Sequence, residues 1–240
     1  MTTKIALRTR PLVAFDPEKT PSSAQILVLF GRGRELHPLV LESLFWRVSR
    51  GERIGLVIGD NRLDEYALAR LARGCGFDPA NLFAQIEFSR PFTCHQLHHC
   101  ILNLITSKVD TWSTLYVLGL LETLYDEDIR YADASRLLND ILLRLEQIAQ
   151  QGLAMLVTVS LPPIDSPRKE FVARVIRAAD AYWQPSPAAI EQLTLKQAAL
   201  WRIGIYHGKN STFGDSTNHA AARRTGPISP CAAARRSTRL

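Results

Sequence analysis

The stretch LVLFGRGRELHPLV, residues 28–41, decides how the chain is read. An apolar run ends in Gly-Arg-Gly, and a turn then enters a helical pattern. Phosphate-binding loops sit at such strand-to-helix junctions, because backbone N–H groups and the helix dipole there favour anions. Where that loop needs Gly-Lys-Thr, this chain has Leu36, His37 and Pro38. Three readings stay open: a nucleotide site, a nucleotide site that has lost its chemistry, or an ordinary turn. Gly31 and Gly33 do not choose between them, since glycine serves tight turns anywhere. Arg32, Arg34 and His37 would add positive charge for an anion.

Outward from this junction, short apolar runs alternate with amphipathic stretches. QILVLF (25–30), RIGLVIG (53–59), AQIEFS (84–89), TLYVLGLL (114–121) and LAMLVTVS (153–160) read as strands, with further strands at 181–184 and 199–206. Helices are expected at 38–50, 63–74, 94–107, 133–151 and 166–180. Pro38 then falls in a first turn, where its missing N–H costs nothing, and Gly51 ends that helix. In the 133–151 helix, Leu137, Leu138, Ile141, Leu142 and Leu145 follow the i, i+3, i+4 rule. Strands separated by helices pair in parallel through right-handed crossovers. Strands this apolar, without alternation, are buried on both faces. The expected fold is therefore α/β, three-layered, with a mostly parallel sheet.

Composition bounds the rest. With 240 residues, 46% hydrophobic and 22% charged, the chain can bury one large core. No apolar run reaches the roughly 18 residues that span a bilayer, and no export signal opens the sequence, so no membrane is expected. Four cysteines (Cys75, Cys94, Cys100, Cys231) do not suggest a disulfide framework, and a reducing, cytoplasmic setting fits better. The net charge of +6 is uneven. From His207 onward, Lys209, Arg223, Arg224, Arg235, Arg236 and Arg239 face one acid, Asp215. The organisation read from this is an arm over 1–24, a core over 25–207 and a basic tail over 208–240, expected to be disordered. The tail's six basic residues are the candidate contacts to nucleic-acid phosphates; DNA binding would place the protein in a nucleoid or nucleus.

The order of landmarks resembles the core of RecA-type recombinases, most of all their archaeal and eukaryotic RadA-like branch. The resemblance is carried by GERIGLVIGDN, LARLARGCGFDPANLFAQIEFSRPFTCHQL, TLYVLGLLETLYDED, ADASRLLNDILLRLEQIAQQGLAMLVTVS and ALWRIGIYHGKNSTFG, over about residues 25–213. It implies a RecA-like P-loop NTPase fold in which the 153–160 strand lies between the 25–30 and 114–121 strands. It also implies a site for ATP and magnesium. Carried over position by position, Leu36 falls on the loop's second glycine, His37 on its lysine and Pro38 on its magnesium-binding hydroxyl. The water-activating acid falls on Asn61, with Asp60 adjacent. The Walker B aspartate falls on Gly119, with Glu122 three residues on, and the polar sensor falls on Ser160.

With the hydrolytic letters replaced, the expectation is the shell of a nucleotide site and no required cofactor. The function so implied is that of a non-catalytic accessory protein of DNA recombination or repair, binding DNA or a RecA-family partner. Such cores also assemble head to tail, so a homo-oligomer is among the partners implied. Two alternatives stand beside this: a weak DNA-dependent ATPase using Asp60 and Glu122, and a regulatory RecA-fold protein with no DNA role.

Two other clusters carry chemistry on paper. In CHQLHHC (94–100), Cys94/His98 and His95/His99 are each four apart, as zinc ligands on a helix would be. The simpler reading puts Leu97, Cys100, Ile101 and Leu104 in the core and the histidines on the polar face. Asp126, Glu127 and Asp128 form an acidic run that reads as a solvated loop.

Overall fold

The apolar runs assemble edge to edge. In the computed structural model, which describes residues 10–11, 15–21, 25–104, 108–162 and 166–185, they form one sheet of seven strands. These are β1 (Arg10–Pro11), β2 (Ile26–Phe30), β3 (Ile54–Ile58), β4 (Ile86–Ser89), β5 (Thr114–Leu118), β6 (Ala154–Val159) and β7 (Ala181–Trp183). Their order is β1-β7-β2-β6-β5-β3-β4, and every pairing is parallel. Strands β3, β5 and β6 are buried at every residue, as a sheet covered on both faces requires.

The cover comes from two helical layers. Helices α1 (Gly33–Ser49), α2 (Glu65–Gly74) and α3 (Pro79–Phe83) lie on one face. On the other lie α4 (Cys94–His99), α5 (Tyr131–Gln150) and α6 (Lys169–Ala178). Leu27 and Leu29 pack into the first layer with Leu36, Leu39 and Leu44, whereas Ile26 and Val28 pack into the second with Ile141, Leu145 and Phe171. The three-layer, parallel α/β architecture is thus the one expected. Strands β2, β6, β5 and β3 lie at its centre, and β6 separates β2 from β5, as the resemblance implies, through the pairs Ile26–Met155 and Thr114–Ala154.

Several boundaries differ from expectation. Helix α1 begins at Gly33, five residues before the expected start, so Pro38 lies inside the helix. The missing N–H is outweighed by burial: Leu36, Leu39 and Val40 are each 1% exposed. Helix α4 is short and passes into a π-helical turn, Cys100–Leu104. Helix α3 was not anticipated; Asp78 caps it by accepting the Ala80 N–H at 3.0 Å, and Pro79 starts it.

Part of the expected arm joins the fold. Arg10 and Pro11 pair with Ala181 and Tyr182, and Phe15 packs on Trp183 with ring centroids 5.6 Å apart. Pro21 is held by the buried Arg47, whose guanidinium donates to its carbonyl, to the Glu52 carboxylate at 2.7 Å and to Thr114 Oγ1 at 2.9 Å. The strand expected at 199–206 and the tail, with Lys209, Arg223, Arg224, Arg235, Arg236 and Arg239, lie outside the described residues.

Candidate functional site

In a parallel sheet every strand ends on the same edge, and ligands bind where adjacent strands send their chains to opposite faces. That divergence occurs at three strand pairs, β3–β4 and the two pairs that carry the predicted residues. Strand β2 leads to α1 on one face while its neighbour β6 leads to α6 on the other; β3 and β5 diverge likewise towards α2 and α5. Gly31, Asp60, Gly119 and Ser160, drawn from four separate parts of the sequence, therefore come to one edge.

At the first divergence the backbone turns tightly. Gly31 N–H still continues the β2–β6 ladder, donating to the Val159 carbonyl at 3.1 Å. Arg32, exposed, is the N-cap residue, and its N–H donates to the Glu35 carboxylate at 3.4 Å. Helix α1 follows at once, with Gly33 and Arg34 in its first turn. A phosphate loop instead wraps several N–H groups around an anion before its helix starts. Leu36 reaches back over the turn: its Cδ2 lies 3.4 Å from where a Cβ on Gly31 would stand. The space above Gly31 is thus filled by this leucine together with Pro185, whose Cγ lies 3.2 Å from the same point, and a carboxylate already occupies the helix N-terminus, where negative charge is favoured. The opening stretch is a strand-to-helix turn closed by side chains.

The second divergence holds a histidine bonded to a carboxylate. His37, one residue past Leu36, donates from Nε2 to Asp60 Oδ2 at 3.1 Å. Asp60 Oδ1 accepts the Arg62 N–H at 3.2 Å. The Asp60 side chain is 4% exposed and that of His37 20%. Burial alone would raise the Asp60 carboxyl, but the hydrogen bond and charge of His37, aided by Arg62, outweigh it and hold the carboxyl below its ordinary value.

Asp60 rests on Gly119. Gly119 has φ +62°, and a Cβ there would stand 2.8 Å from Asp60 N and 2.9 Å from Asp60 Cγ. Its N–H donates to Thr158 Oγ1 at 2.8 Å, while Gly59 N–H donates to the Leu118 carbonyl at 2.7 Å. The acid that the resemblance places at 119 is absent there, and the carboxylate of the neighbouring strand lies across that position instead.

The remaining predicted residues sit around this pair. Asn61 is exposed, with φ +52°. Glu122 opens a 3-10 turn, Glu122–Leu124, and its charge, after burial, helps to raise the Tyr125 hydroxyl. Ser160 takes part through its carbonyl, which accepts the Tyr125 O–H at 3.1 Å. Thr158, Tyr125 and Arg168 were not anticipated. Arg168 is buried; it donates to the carbonyl of Leu124 at 2.6 Å and to those of Asp126 and Ile129. It thereby fixes the loop carrying the exposed acids Asp126, Glu127 and Asp128. An arginine at the start of a helical pattern was the available signal, but only the fold shows which carbonyls it reaches.

The Cys/His cluster resolves along the simpler reading. Cys94, Leu97, Cys100 and Ile101 are buried, and burial pushes both thiols up. His98 Nε2 donates to Asp140 Oδ2 at 3.2 Å, and Asn103 Nδ2 donates to His99 Nδ1 at 3.0 Å. Among the described residues no helix is long and apolar enough to cross a membrane.

The fold and this edge define a parallel α/β protein with a part-buried His–Asp pair at the carboxyl-end edge of its sheet. Neither a family model nor a curated protein matches the chain.

Proposed function

We propose that the chain is a non-catalytic RecA-like accessory protein of DNA recombination or repair, acting by binding DNA or a RecA-family partner. The observation that carries this is the His37–Asp60 pair seated on Gly119, within a sheet where β6 separates β2 from β5. The strand order supports the P-loop type of α/β fold. The pair supports loss of turnover, because a carboxylate bonded to His37 and to the Arg62 N–H is already engaged and does not serve as a free base. The uneven charge of the sequence supports a nucleic-acid role for the tail, since phosphate contacts made by arginine and lysine need no folded surface.

Isothermal calorimetry with ATP and magnesium, and phosphate release with and without single-stranded DNA, test this reading. The expected outcome is no turnover above a protein-free control. Turnover that disappears in Asp60→Asn or Glu122→Gln would transfer the assignment to a DNA-dependent ATPase. A chain that binds no DNA and no RecA-family protein would leave only a regulatory role.

A further inference from the structure

We infer that the outward face of α2, together with the segment following β4, is a surface for single-stranded nucleic acid; this rests on the DNA-binding reading above and moves part of that binding from the tail onto the fold. Tyr66, Arg70 and Arg73 recur at i, i+4 and i+7 of α2, so they share one face. The opposite face, Ala67, Leu68, Ala69 and Ala72, is buried. Tyr66 is 79% exposed, and Phe92, after β4, is 69% exposed; among the described residues these are the most exposed large hydrophobic side chains. The two elements are joined, because Arg90 pairs with Glu65 in the first turn of α2. Arg62, also exposed, stands where the chain enters α2.

The acids nearby are already engaged. Asp64 caps α2 by accepting the Ala67 N–H at 2.8 Å and lies 3.9 Å from Arg70, and Glu65 is held by Arg90. Arg62, Arg70, Arg73 and Arg90 thus outnumber Asp60, Asp64 and Glu65, and the two exposed rings are carried by the same elements. Exposed rings interleaved with cations suit a single strand: bases stack on the rings while arginines follow the phosphates. A duplex keeps its base faces stacked on one another and offers the rings nothing. An apolar protein partner fits less well, because the outward face of α2 presents no aliphatic side chain between its charges. The stripe rises about 10 Å along the helix, room for roughly two nucleotides, so it supplements a longer electrostatic contact.

The test uses the full chain and fluorescence anisotropy with a labelled thymidine oligonucleotide. Tyr66→Ala with Phe92→Ala is expected to weaken binding at least about tenfold while leaving the salt slope unchanged, because lost stacking releases no counterion. Tyr66→Trp with Phe92→Trp should retain binding. Arg70→Glu with Arg73→Glu should weaken it and flatten the slope. Ultraviolet crosslinking should map to the peptides bearing Tyr66 and Phe92. Replacing Arg223, Arg224, Arg235 and Arg236 by alanine should lower affinity without changing the factor lost on ring removal.

If the ring variant binds as tightly as the parent while the tail variant loses binding, the inference fails and the DNA reading stands. If the parent binds no oligonucleotide, both fail. A parent that self-associates until the rings are removed, with DNA affinity unchanged, would assign the face to a second copy and overturn the inference.

Discussion

Gly119→Ala is the sharpest perturbation of the His37–Asp60 site. Two costs combine. The residue has φ +62°, and left-handed backbone costs a side chain about 1 kcal/mol. The new methyl would also stand 2.8 Å from Asp60 N and 2.9 Å from Asp60 Cγ, where carbon contacts normally lie near 3.5–4.0 Å. One neighbour is backbone at the end of β3, so relief requires moving that strand end or expelling the Asp60 side chain from His37. Forced overpacking adds about 1–3 kcal/mol, giving a total of about 2–4 kcal/mol. Gly51→Ala supplies the control: its φ is +84° and nothing lies within 4 Å of the added carbon, so it carries the backbone cost alone. Urea unfolding of both variants separates the terms, with Gly119→Ala expected to lose about 0.5–1 M in midpoint relative to Gly51→Ala. Asp60→Gly in the Gly119→Ala background should recover part of the loss, since it removes the crowded side chain. Equal midpoints for the two single variants would refute the claim that Asp60 rests on Gly119.

Two further outcomes follow from the same geometry. The Asp60 carboxyl is depressed in the folded protein, so its stabilisation is complete above the unfolded carboxyl range, near pH 4, and is lost as pH falls through the lower folded value. His37→Ala should therefore be less stable than the parent at pH 5–6, with the difference shrinking below pH 4; parallel stability curves would sink this account. Arg168→Ala should cost about 3 kcal/mol, because the carbonyls of Leu124, Asp126 and Ile129 lose one shared donor. Amide exchange over 124–130 should then quicken, and Arg168→Lys should rescue less than half of the loss, since an ammonium lacks the guanidinium fork.

The strands were legible because burial on both faces leaves unbroken apolar runs such as ILVLF and AMLVTV, and alternation with helices dictates parallel pairing. The start of α1 was not, because Pro38 is an ordinary marker of a first turn. The residues that overrule it, Leu36 and the preceding turn, act through a core that appears only when α1 meets β2. Asp60, Gly119, His37 and Ser160 were singled out from the sequence, and the structure brings them to one edge of the sheet. The bonding was not legible. Nothing in GDN or LGLL says that a carboxylate from one strand lies across a glycine on the next, because that contact belongs to register: Ile58 pairs with Leu118, which brings the residues after each into contact.

Register also ties residues 36, 37 and 119 to their neighbours. With an acid at 119 and φ +62° unchanged, its Cβ would meet Asp60, so the two carboxylates would compete for one place. With lysine at 37, the longer side chain would have to fold back to reach a carboxylate that the imidazole meets at 3.1 Å. With glycine at 36, Gly31 would keep its contact with Pro185 but the buried leucine packing of α1 would be lost. Each of these three positions is thus constrained by a neighbour on another element, and the edge of this sheet holds a filled turn and a part-buried His37–Asp60 pair.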